Sequence, residues 1–127
     1  MNLILAGSAN LIEKITMRLV IEKKDECTLI RLADPTLGVG NHTEFKTEIT
    51  RLVNSGSKKL ILDFEQVAMV DSSGLGALIS VIKTVGKDGK LALMGVNPKV
   101  RNVFKMTHLD KLFSLYENEE DAERALS

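Results

Sequence analysis

The chain has 127 residues, 44% of them hydrophobic and 27% charged, with a formal net charge of zero and a pI of about 6.7. That length suits one domain around a single core. With aromatics at 4% and no Trp, there is neither a basic footprint nor a stacking platform for nucleic acid. No stretch reaches the eighteen or so consecutive apolar residues of a membrane-spanning helix, so a cytoplasmic protein without membrane contact is predicted.

Residues 1–16 open apolar but lack the basic start and the apolar length of a signal peptide. They are predicted to be an accessory segment without function of its own, with the domain proper over 17–127. Residues 18–22 and 27–32 read as two strands joined by the charged turn 23–26, a hairpin with a four-residue connection. The lone Cys27 falls in this apolar pattern and reads as a small buried hydrophobe in a reducing compartment. Pro35, Gly38 and Gly40 argue against regular structure in 33–40. Asn41 with Glu44 forms a capping-box pattern for a first helix, whose stripe is Phe45, Ile49, Leu52 and Val53 and whose end is marked by residues 54–56.

The run Leu60-Ile61-Leu62, ending at Asp63, reads as a strand buried on both faces. After residues 67–70 comes Asp71-Ser72-Ser73-Gly74-Leu75-Gly76, and then a helix to Val85 with Leu75, Leu78, Ile79, Ile82 and Val85 as its predicted inner stripe. Asp71, Ser72 and Ser73 are all good N-cap residues. Gly74 and Gly76 cost helix propensity, which suggests that something approaches the backbone there. Residues 90–94 form another strand, and Asn97 with Pro98 starts a third helix carrying Val100, Val103 and Phe104 inward. Residues 112–116 read as a last short strand. Residues 119–126 read as an acidic closing helix with Ala122, Ala125 and Leu126 as its apolar face.

Residues 71–76 behind the strand 60–63, with Asn97-Pro98-Lys99-Val100 and residues 106–113, resemble the STAS domain and more narrowly the stand-alone bacterial anti-sigma factor antagonists. The likeness covers about residues 17–126. The element order implies an α/β fold, a mixed sheet with helices packed on one side, and the resemblance agrees, implying a single STAS-like domain with a mixed sheet of four to five strands and helices packed mainly on one face. The resemblance further implies that Ser72 is a phosphoacceptor. The partner-binding surface is predicted on Asp71, Ser73, Gly74, Leu75 and Gly76, together with Asn41 and Thr43. An anti-sigma factor serine kinase would bind the unphosphorylated form, and a serine phosphatase would reset it, ATP and Mg²⁺ belonging to those partners. The loop 33–40 departs from the family, which usually carries a short Gly-x-Leu-Asp there.

From the spacing alone, Ser72 and Ser73 read equally well as helix caps. The paired glycines and the resemblance favour Ser72 as the regulatory serine and Ser73 as the cap. Asp71 reads either as a second cap or as a group that orients the hydroxyl. A serine hydrolase is the reading from another class, but the only histidines are His42 and His108 and no Gly-x-Ser-x-Gly elbow is present. No catalytic residues, metal ligands or cofactor are predicted: Cys27 stands alone, and no Gly-Lys-Ser/Thr follows Gly74 and Gly76. A partner-switching or stressosome-like regulator with a non-sigma output is the alternative among binding modules.

Overall fold

The computed structural model describes residues 18–127; the accessory segment 1–16 and Met17 lie outside the described residues. The elements run β1 (Leu19–Lys23), β2 (Thr28–Leu32), β3 (Thr36–Leu37), α1 (His42–Asn54), β4 (Lys59–Asp63), β5 (Met69–Val70), α2 (Ser72–Val85), β6 (Lys90–Met94), α3 (Pro98–Met106), β7 (Ser114–Tyr116) and α4 (Glu119–Leu126). A short 3-10 turn, Leu109–Lys111, precedes β7. Five strands form one mixed sheet in the order β1-β2-β4-β6-β7. β1 and β2 are antiparallel, and the other pairings are parallel.

β4 is the central strand, and its alternation explains the layers. Leu60 and Leu62 face one side with Ile30, Leu32 and Leu93, where α1, α2 and α3 supply Phe45, Ile49, Leu52, Leu78, Val81, Val100 and Phe104. Ile61 faces the other side with Leu29, Ala92 and Met94, covered by Ala122 and Leu126 of α4. Both faces of β4 are thus dry, as expected of a parallel strand inside a layered α/β domain, and each fully buried Leu or Ile contributes about 1.5–3 kcal/mol. Phe104 joins the far edge through edge-on contacts with Phe64 and Phe113, at centroid distances of 6.4 and 5.1 Å. The fully buried Asp63 is matched by Arg31 Nε at 2.9 Å and by the Glu65 amide at 2.9 Å, as a buried carboxylate requires.

Several expectations shift. The hairpin connection is the predicted four residues long, closed by the Lys24 amide donating to the Cys27 carbonyl at 2.8 Å, and Cys27 is half-buried at its end. From this turn the Lys24 ammonium pairs with Glu119 and, at 2.9 Å, with Glu123, fastening α4 to the sheet edge. Ala125 is exposed, leaving Ala122 and Leu126 as the α4 contact. The stretch 33–40 is not free of regular structure: β3 pairs in parallel with β5, Thr36 against Met69 and Leu37 against Val70. α2 also sits in a different rotation from the predicted stripe. Its buried residues are Gly74, Ala77, Leu78, Val81 and Val85, while Ile79 is 37% exposed.

Candidate functional site

The site is the corner where β5 turns into α2 with β3 beside it. Asp71 leaves β5 in extended conformation and becomes the N-cap of α2. Its Oδ1 accepts the Gly74 amide at 3.0 Å, and its Oδ2 accepts the Val39 amide at 3.0 Å. One carboxylate therefore caps the helix and ties down the neighbouring loop. Those two amides, Gly74 first and Val39 next, hold the Asp71 carboxyl below the usual range; the Ser73 amide and the charge of His42 add to this against some desolvation. The group is ionised throughout the neutral range.

Two glycines permit this closeness. A Cβ on Gly74 would stand 2.2 Å from the Leu37 carbonyl oxygen, and one on Gly38 would stand 2.2 Å from Asp71 Oδ2. Gly74 thus accommodates this chain's own β3. Gly76 is different: a Cβ there meets nothing within 4 Å, so no contact within the domain explains the helix propensity it forgoes.

Asn41 does not close the predicted capping box. Its Oδ1 accepts the Gly38 amide at 2.9 Å, and its Nδ2 donates to the Thr36 carbonyl at 2.8 Å and to Asp34 Oδ2 at 3.3 Å. At 8% exposure it is an internal brace of the loop, and α1 begins without a side-chain cap from it. The Gly38 carbonyl accepts the amides of Asn41 and His42 at 3.1 and 2.8 Å, so the loop is bonded on both sides of Val39.

Ser72 is the first residue of α2 and is exposed. Its hydroxyl makes no hydrogen bond to another described residue, since the capping acceptor is Asp71. Ser73, predicted as the cap, lies within the first turn and is half-buried. Leu75 is half-buried, Gly76 and Thr43 are exposed, and Gly74 is buried. The candidates therefore divide into the buried Gly74 and Asn41, a half-buried Asp71 engaged by the Gly74 and Val39 amides, and an accessible set of Ser72, Ser73, Leu75, Gly76 and Thr43. The Gly38–Val39 contact with Asp71 was not foreseen: the spacing of Asp71 and Gly74 signals the helix cap alone, and the partner loop is 32 residues away. Of the two histidines, His42 lies near Asp71 at the start of α1, and His108 is an exposed residue in left-handed conformation (φ 63°) beyond α3. Neither is hydrogen-bonded to Ser72.

The STAS domain family model matches residues 18–122. The chain belongs to the STAS domain family. A Thermotoga maritima protein provisionally named an anti-sigma factor antagonist is 28% identical over 96 residues, covering 74% of this chain and 85% of that protein. The anti-sigma-B factor antagonist of Staphylococcus aureus is 27% identical over 78 residues, covering 61% and 72%. Among solved structures, the Bacillus cell fate determinant SpoIIAA in its phosphorylated form superposes with a TM-score of 0.67 at 23% identity, covering 87% of this chain and all of that one. STAS membership accounts for the mixed five-stranded sheet and its helices. Among the described residues no helix is long and apolar enough to cross a membrane.

Proposed function

We propose that this STAS protein is an anti-sigma factor antagonist whose binding is switched by phosphorylation of Ser72. The observation that carries the reading is the division of labour at the start of α2: Asp71 does the capping, and Ser72 is left exposed with a hydroxyl unused by the fold. The names of the Thermotoga and Staphylococcus relatives supply the partner class, an anti-sigma factor.

In the unphosphorylated state, the accessible set around Ser72 docks on an anti-sigma factor that is itself a serine kinase. Gly76, bare and exposed one turn below Ser72, lets the partner approach the helix closely. Ser72 Oγ attacks the γ-phosphorus of ATP held by the kinase with its Mg²⁺, ADP leaves, and the hydroxyl proton passes to the kinase. The dianion at Ser72 then disfavours the complex, and a serine phosphatase hydrolyses the phosphate to renew it. Asp71, Gly74 and Asn41 act by holding the corner in shape. The switch resides in residues 17–127, is non-catalytic in this chain, and takes no nucleic acid or membrane as partner. Incubation with the cognate kinase and ATP, followed by phosphopeptide mapping, tests the reading. Label on Ser72 is the expected result, and label on Ser73 with Ser72 unmodified would overturn it.

A further inference from the structure

We infer that Val39 is a contact by which the anti-sigma factor recognises this chain, an inference that rests on the reading of Ser72 above. Val39 is the most exposed large hydrophobic side chain among the described residues, at 78%. Exposed apolar residues are common on mobile loop tips, but this one is not free to move away. Its amide donates to Asp71, the residue just before Ser72. Leu37, two residues back, is fully buried and paired with Val70, and Gly38 is held by Asn41.

The fold therefore holds the backbone that presents an apolar side chain to water, one carboxylate away from the acceptor serine. A loop whose backbone is already held in this way loses little freedom on binding, which favours association. Met69, the first residue of β5, is 51% exposed, and Ile79 shares a face of α2 with Ser72 and Gly76. Neither 33–42 nor 64–82 contains a lysine or arginine. The two segments that flank Ser72 thus bring apolar side chains and no lysine or arginine, with His42 near Asp71. They fit a protein partner with an apolar recess beside its phosphoryl-transfer site, which must bring its own positive charge for the transferred group.

The test uses the full-length chain and the purified anti-sigma factor kinases of the same genome, each with ATP and Mg²⁺. With the kinase that labels Ser72, V39S is expected to raise KM for the protein substrate about tenfold to a hundredfold, the range for losing one buried aliphatic side chain. Its kcat should stay within twofold, because the reacting atoms are untouched, and its Tm should match the parent. V39I should bind like the parent. V20S, an exposed valine on β1 facing the α4 side of the sheet, should change neither constant. Labelling of Ser72 with V39S within twofold of the parent in KM overturns this inference alone. If none of the kinases labels Ser72, the functional reading falls and this inference with it.

Discussion

Gly38 faces Asp71 so closely that a Cβ at position 38 would lie 2.2 Å from Oδ2 and 2.5 Å from the carboxyl carbon. The residue that caps the acceptor helix and the glycine that makes room for it belong to elements 33 residues apart in sequence. Gly38→Ala should therefore act at both ends of the junction. The cost expected for overpacking at this buried position is about 1–3 kcal/mol, read as a lower denaturant midpoint. In an Asp71→Ala background the same substitution meets no carboxylate and should cost much less. Equal cost in both backgrounds would show that the clash is not what the alanine feels.

Gly74 and Gly76 look alike in sequence but should respond in opposite directions. Gly74→Ala drives a methyl into the Leu37 carbonyl and the Val70 side chain, so β3 must move and the domain should lose about 1–3 kcal/mol. Gly76→Ala meets open space and should gain up to about 1 kcal/mol from helix propensity. If Gly76 is where the partner closes on the helix, that more stable variant should be phosphorylated more slowly. Thermal melts and initial rates on the same samples separate the two effects.

The Asp71 carboxyl is depressed by the Gly74 and Val39 amides, so its contribution to stability has a definite sign with pH. A group whose folded pKa lies below its unfolded value stabilises above the unfolded value, about 3.9 for Asp, and loses that contribution as pH falls through the folded one. The junction should stay closed from neutrality down to about pH 4 and loosen only below it. The amide resonances of Val39 and Gly74 should then titrate together, with one shared midpoint under about 4. Separate midpoints would mean that the two amides do not report a single carboxylate.

Most of the fold was legible because it rests on patterns that burial enforces: the doubly buried β4, the stripe of α1, and the Asn97-Pro98 start of α3, where Asn97 Oδ1 accepts the Val100 amide at 2.7 Å. The rotation of α2 was not. In residues 74–85 nearly every position is apolar or small, so more than one inner face satisfies the helical period. The junction at Asp71 was hidden for another reason. Three consecutive residues could cap, and which one does is decided by β3, a two-residue strand too short to leave a period. Asn41 was misread likewise, because its amide serves contacts in a loop whose path no local pattern gives.

The helix rotation yields its own prediction. Ile79→Asp, which the predicted stripe would have made severely destabilising, should cost about 1–2 kcal/mol, because the carboxylate can reach water from a partly exposed position. Leu78→Asp, one residue away and fully buried, should cost more than about 4 kcal/mol or prevent folding. Comparable melting of the two variants would contradict the observed rotation.

Phosphate at Ser72 should act on binding while leaving the fold intact, and magnitudes decide this. A phosphoserine carries close to two negative charges at neutral pH. At the first position of α2 it meets the positive end of the helix dipole, worth about 0.3–2 kcal/mol. The Gly74 amide is already taken by Asp71, and that ionised carboxylate repels the newcomer. These opposing effects should leave Tm within a few degrees of the parent. In a docked complex the same dianion loses its water, and an unpaired buried charge costs on the order of 3–5 kcal/mol, a hundredfold or more in affinity. Ser72→Asp should therefore fold normally and bind the kinase at least about a hundredfold more weakly. Ser72→Ala should bind and never take phosphate. Ser73→Ala should still be phosphorylated and lose less than about 0.5 kcal/mol, since the cap is Asp71. Calorimetric titration of the kinase with each variant, alongside melting curves, checks all three. A Ser72→Asp protein that melts far below the parent would show that the charge acts on the fold itself.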